Sequence, residues 1–194
     1  MNKLKKFSKN ILISFFIFYI IIANTSSSFA RNFDDGARSF LAEQTEQFIE
    51  QYASISVYST NGANVPARFN EDKSIFYCCC TTGVAYVYKM FLGIDLQDYG
   101  YQNWATDNLT TLQNQYWHQV SPSEAKPGDI LVRPNHVEMV AESNPSASSS
   151  ASLRHFNFGS KGVEGQGPSM VTHDGSGASW DEFEAIFALN EDVQ

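Results

Sequence analysis

The sequence predicts an α+β fold, with helices from the first half of the chain packed on an antiparallel sheet built from the second half. Three observations predict it. Helical spacing of apolar residues prevails between Asp34 and Phe91, strand-like alternation broken by turn signals prevails from Trp117 onward, and no internal repeat interrupts either half. With 194 residues and 43% hydrophobic content, the chain is long enough for one domain with a substantial core.

The first thirty residues stand apart. Lys3, Lys5, Lys6 and Lys9 precede an apolar run from Ile11 to Ala23, interrupted only by Ser14, and Ser28-Phe29-Ala30 offers a small-x-small cleavage site. Residues 1–30 therefore read as a secretory signal, which leaves 31–194 as a single exported domain, secreted or in the cell envelope. An uncleaved anchor is the competing reading; the run is short for a membrane span, which favours cleavage.

Beyond the signal, Ala37, Phe40, Leu41, Phe48, Ile49 and Tyr52 mark an amphipathic helix over 34–53, started by Asp34 and Asp35 and broken at the polar run Glu43–Gln47. Ile55 to Tyr58 alternates as a short strand, Asn61-Gly62 is a turn and Pro66 to Lys73 reads as loop. A second helix follows Cys80, with Val84, Val87 and Phe91 on its buried face and Gly93 as its stop. Ile94 to Tyr116 reads as loop with one helix near 109–115. Lys126-Pro127-Gly128-Asp129 is a turn delivering Ile130-Leu131-Val132, and after Pro134-Asn135 the segment His136 to Ala141 alternates, which predicts a hairpin. The Ser/Ala-rich stretch 144–152 reads as a mobile connection to a strand over 153–158, where His155 and Asn157 share a face. The glycine-rich stretch 159–167 lacks the strand–helix context of a phosphate cradle, and 180–189 reads as a last helical turn and an edge strand.

Charge and cysteine content narrow the chemistry. All 21 acidic residues lie beyond Ala30, whereas 4 of the 13 basic ones lie before it. Cleavage there leaves 9 basic against 21 acidic residues, a net charge of −12 in place of −8. Such a chain repels nucleic acid and anionic membranes, so neither is an expected partner. All three cysteines are adjacent, at 78, 79 and 80, an odd number too close together for loop-closing disulfides. No Cys-x-x-Cys pair exists to build a zinc site, and no metal or other cofactor is expected. At least one free thiol is expected, and a free thiol in an exported protein points to a working one.

The position of that thiol supplies the chemistry. A cysteine opening a helix lies beside N–H groups with no intrahelical acceptor and at the positive end of the helix dipole, and both stabilise a thiolate. Thr81 and Thr82 suit the same helix start. A thiolate so placed is a nucleophile for acyl transfer and needs a base, which His136, at the start of a strand, can supply. Cys78 and Cys79 read as small core residues, and His118 and His173 as solvated loop residues.

The run Cys80-Thr81-Thr82-Gly83-Val84-Ala85-Tyr86-Val87-Tyr88 resembles the nucleophile motif of the NlpC/P60 family of cysteine peptidases, Asp-Cys-Ser-Gly-Phe-Val-x-x-Val. Aligned on Val84 and Val87, the nucleophile falls on Cys80. Pro127-Gly128-Asp129-Ile130-Leu131-Val132 followed by His136-Val137 resembles the family's second motif, and Trp117 stands where the family keeps a tryptophan. The resemblance covers about 75–160. It implies a papain-like fold and a Cys80–His136 pair. An orienting residue would come from the next strand, either His155, nearer the strand's middle, or Asn157, the type used in CHAP amidases. The oxyanion donors implied are the Cys80 N–H and a tyrosine upstream, matched here by Tyr58. Glu138, on the strand face of His136, stands where the family often has glycine; it shapes the pocket, raises the histidine pKa or points to solvent. The implied substrates are peptidoglycan stem or cross-link peptides, cleaved through a thioester. A CHAP-type N-acetylmuramoyl-L-alanine amidase is the alternative enzyme, and acyl transfer to an amine a third chemistry. The replacement of the family's Asp, Ser-Gly and Phe by Cys79, Thr81-Thr82 and Gly83 motivates another class, a catalytically silent binding module.

Overall fold

The computed structural model describes residues 33–60, 65–101, 112, 114–159, 169–174 and 183–193. The expected signal at 1–30, most of the helix expected near 109–115 and most of the 159–167 loop lie outside the described residues; positions 112, 114 and 115 are described and are not helical. Within them the fold is α+β, and no described helix is long and apolar enough to cross a membrane.

Helix α1 spans Asp35–Gln51, with Asp34 as N-cap accepting a hydrogen bond from the Ala37 N–H at 2.9 Å. It is continuous, contrary to the break expected at Glu43–Gln47. The reason is that Arg38 and Thr45, polar by type, are buried and complete the stripe of Leu41, Ala42, Phe48 and Ile49. Helix α2 spans Cys80–Leu92 and ends at Gly93, whose φ of 73° suits only a residue without a Cβ. Phe48 of α1 meets Phe76, Tyr86 and Phe91 at ring-centroid distances of 5.7, 5.9 and 6.3 Å, which seals the two helices together.

Among the described residues two sheets are present where one was expected. Strands β1 (Ser56–Ser59), β2 (Arg68–Phe69) and β3 (Ile75–Cys78) form a small sheet ordered β1-β3-β2, with β1 parallel to β3. β2 falls where the sequence reads as loop, being only two residues long.

The main sheet is antiparallel throughout. Its strands are β4 (Trp117–Gln119), β5 (Ile130–Arg133), β6 (His136–Val140), β7 (His155–Phe158), β8 (Met170–His173) and β9 (Ala185–Leu189), ordered β4-β9-β5-β6-β7-β8. The hairpin expected at 130–141 is β5–β6, turned through Asn135 at φ 59°. Strand β9 lies between β4 and β5 and not at an edge, and its five residues are all buried. Strand β8 has no counterpart in the sequence reading, and it carries His173, which is half-buried opposite His155 and not a solvated loop residue. The 144–152 connection, expected to be mobile, contains buried Ala147 and Ser150 and a 3-10 turn at Ser150–Ser152.

Alternation divides the sheet's side chains between two layers. Ile130, Val132, Val137, Met139, Phe156, Phe158 and Phe187 join Val84 and Val87 of α2 in the main core. Leu131, Val140, Leu153 and Ile186 form a smaller cluster with Ala125, Ala147 and Phe183.

Candidate functional site

The chain reaches Cys80 from strand β3, with Phe76 and Cys78 turned into the core. Cys79 is the N-cap of α2 in extended conformation, its N–H bonded to the Thr82 hydroxyl at 2.8 Å. The Cys79 sulfur lies 3.2 and 3.3 Å from the hydroxyls of Thr81 and Thr82. These threonines thus hold the turn, and Cys80 is the first residue of the helix. Gly83 explains its own departure from the family pattern. A Cβ there would lie 2.4 Å from the Cβ of Phe158, so only glycine lets α2 approach β7 this closely.

His136 opens β6, and a side-chain hydrogen bond joins it to Cys80. Its Nε2 lies 3.2 Å from Oε1 of Glu138, two residues along the same strand. That leaves Nδ1 as the nitrogen able to exchange a proton with the sulfur. Glu138 is wholly buried, and Arg133 of β5 donates to its Oε1 at 2.7 Å. The register sets Arg133 opposite His136, Asn157 opposite Glu138 and His173 opposite His155, so one sheet face carries a polar band across β5 to β8.

The residues expected to orient His136 take different places in this band. His155 Nε2 lies 3.2 Å from Glu138 Oε2, while its Nδ1 lies 2.8 Å from the Leu153 carbonyl. Oε2 of Glu138 has no hydrogen-bond partner among the described residues, so this contact is a close approach and not a hydrogen bond. Asn157 is buried, and its Oδ1 finds no hydrogen-bond partner among the described residues. The group on the His136 ring is therefore the carboxylate of Glu138.

Electrostatics follow from this burial. Burial alone pulls His136 down, but the hydrogen bonds to Cys80 and Glu138 and their charges outweigh it and raise the ring to about 9. Burial pushes Glu138 up, and the hydrogen bond from His136 with the charges of His155, His136 and Arg133 overcomes it, to about 2. Cys78 lies at the other extreme. Its thiol is raised far above the ordinary range, first by burial and then by the neighbouring sulfurs, which leaves it protonated and inert at neutral pH. None of the three cysteines is in a disulfide.

Tyr58 stands 62% exposed on β1, its ring 5.5 Å from that of Tyr77. A different tyrosine lies at the start of α2. The buried hydroxyl of Tyr101 donates to the Thr81 carbonyl at 3.1 Å, and its ionisation is opposed first by burial and then by the charges of Cys80 and Cys79. Tyr101 falls in the segment 94–116 read as loop, and its ring is in the core, 6.4 Å from that of Trp117. His118 is exposed on β4, bonded to Asn190 at 2.7 Å. Among the described residues, no group of three or more His, Cys, Asp or Glu side chains could hold a metal ion.

Sequence reasoning placed Glu138 on the correct face without deciding its role, and it missed Arg133 and Tyr101. The signal for Arg133 and Glu138 was the hairpin itself. With Pro134-Asn135 at its turn, Arg133 must pair with His136, and a carboxylate two residues on falls beside both.

No family model, no curated protein and no solved structure matches this chain.

Proposed function

We propose that the protein is a cysteine hydrolase of amide bonds, with Cys80 as nucleophile and His136 as its base. The observation that carries the reading is the hydrogen bond between Cys80, at the first turn of α2, and His136, whose far nitrogen meets a buried carboxylate. The Cys80 sulfur attacks the substrate carbonyl, and first-turn N–H groups of α2 receive the oxyanion. His136, holding the proton taken from sulfur, gives it to the departing amine and leaves a thioester. Water then attacks the thioester with His136 as base, which releases a carboxylic acid and restores the thiol.

The motif resemblance extends this to a papain-like NlpC/P60 fold and to the stem or cross-link peptides of peptidoglycan, with the export signal consistent with an extracellular polymer. Tyr58, exposed on the strand beside β3, would then contact substrate and would need to turn inward to serve the oxyanion. A CHAP-type amidase is the nearest alternative, and its cleavage at the sugar–peptide amide distinguishes it. A silent binding module of the same fold is favoured by one observation, that Cys80 is only 5% exposed.

Digestion of purified peptidoglycan by the protein and by Cys80→Ala, with fragments identified by mass spectrometry, tests the reading. New amino termini released by the wild type and absent with Cys80→Ala are the expected result and name the bond. Free muramyl sugars lacking peptide would indicate the amidase. No release by either, together with no rapid alkylation of Cys80, would transfer the reading to the binding module.

A further inference from the structure

Building on the Cys80–His136 pair, we propose that Glu138 is the positioning residue of the site: its buried carboxylate fixes the His136 ring and, by favouring the imidazolium, keeps the Cys80 sulfur ionised near neutral pH. The expected orienters, His155 or Asn157, are on the neighbouring strand. Glu138 lies on the strand of the histidine itself, two residues along, where strand alternation forces the two side chains onto one face.

Geometry and surroundings argue for a working carboxylate. Oε1 is 3.2 Å from His136 Nε2 and 2.7 Å from an Arg133 guanidinium nitrogen, so one oxygen serves both cations. Oε2 faces His155 Nε2 at 3.2 Å but has no hydrogen-bond donor among the described residues. Arg133 supplies one permanent positive charge to this buried carboxylate, and the group able to add a second by proton transfer from sulfur is His136. The charged and titratable groups facing this carboxylate are Arg133 from β5, His136 on β6, His155 from β7 with His173 behind it on β8, and Cys80 of α2 across the His136 ring. Asn157 faces it as a neutral group. A neutral amide in place of Glu138 would still accept the ring N–H, but it would not supply the charge. This separates a positioning carboxylate from one that only ties Arg133 into the sheet.

The experiment is alkylation of the purified protein by iodoacetamide across pH, with occupancy of Cys80 read by peptide mass spectrometry, in the wild type and in Glu138→Gln. With the wild type, labelling at pH 6.5 should stay within about threefold of labelling at pH 9, because the sulfur is already ionised. With Glu138→Gln, labelling at pH 6.5 should fall at least about tenfold and recover toward pH 9, where a thiol ionises unaided. A folded Glu138→Gln protein with the wild-type pH profile overturns the proposal and leaves Glu138 a structural partner of Arg133.

Nitrogen NMR of the wild-type histidine rings decides the matter independently, even if the variant fails to fold. His136 should remain protonated on both nitrogens up to about pH 9, and a ring that loses a proton near 6.5 overturns the proposal. Neither readout depends on peptidoglycan, so a wrong substrate would show as absent digestion with these profiles intact.

Discussion

Among the described residues two arginines meet a buried carboxylate at the main sheet, and the two pairs differ in what completes them. Arg38 of α1 meets Asp129 at 2.5 Å, just before β5, and also donates to the carbonyls of Pro127 and Leu189 at 3.2 and 2.8 Å. The other oxygen of Asp129 accepts the Lys126 N–H at 2.8 Å. Apart from Arg38 Nε, which has no partner among the described residues, this pair is closed by backbone groups that cannot titrate. The Arg133–Glu138 pair is flanked instead by two histidines, and one carboxylate oxygen has no hydrogen-bond donor among the described residues. A buried ion pair finished by main chain holds strands together, whereas one finished by imidazoles exchanges protons with its surroundings.

Breaking the first pair should give the largest loss of stability. Asp129→Ala leaves Arg38 as an uncompensated buried charge and should cost about 3–5 kcal/mol in denaturant unfolding. The pH profile of Cys80 alkylation should survive in whatever fraction folds; a shifted profile would mean the two pairs are coupled.

The pH dependence of stability sharpens the contrast. His136 is raised to about 9 from an ordinary 6.5, so its contribution is complete below 6.5 and is lost as pH climbs through 9. Glu138 is lowered to about 2 from 4.5, so its contribution is complete above 4.5 and is lost as pH falls through 2. An ionised Cys80 shifts stability the opposite way over the same range, so calorimetry should find the melting temperature nearly constant between pH 6.5 and 8.5 and falling by no more than about 2 °C from there to pH 9.5; a steady fall beginning near pH 7 would mean that the sulfur is not ionised.

The smallest effect should come from a change that touches neither pair. Gly83→Ala drives a methyl into Phe158 and should cost about 1–3 kcal/mol by overpacking. By pushing the start of α2 away from β7 it should also slow Cys80 alkylation at pH 6.5. An unchanged rate would mean that the helix start moves freely with the site.

The contrast also explains what was legible in the sequence. Gly93 as helix stop, the 130–141 hairpin and Cys80 at a helix start could all be read, because each rests on local rules of φ, alternation or capping. The turn Pro127-Gly128-Asp129 was legible as a motif but not as a corner of the core. A Cβ on Gly128 would lie 2.8 Å from Phe33, and the Gly128 carbonyl accepts the Tyr88 hydroxyl at 2.5 Å. Thr45 misled because polar type stood in for burial, and the burial of Arg38 is explained only by distant partners such as Asp129. Glu138 could be placed on its face with its role left open, because its partners beyond His136 come from β5 and β7 and no periodicity within β6 states what faces it.

The place of β9 bears on how the chain folds. In the main sheet β4 is hydrogen-bonded to β9 alone, and Arg38 and Phe33 both reach carbonyls at or just past that strand's end, those of Leu189 and Glu191. Residues 117–119 therefore wait for a partner made roughly 70 residues later, a long-range pairing of the kind that slows folding and exposes strand edges meanwhile. The hairpin that carries His136 and Glu138 can form early and alone, but the sheet around it closes only when its last strand arrives in the middle.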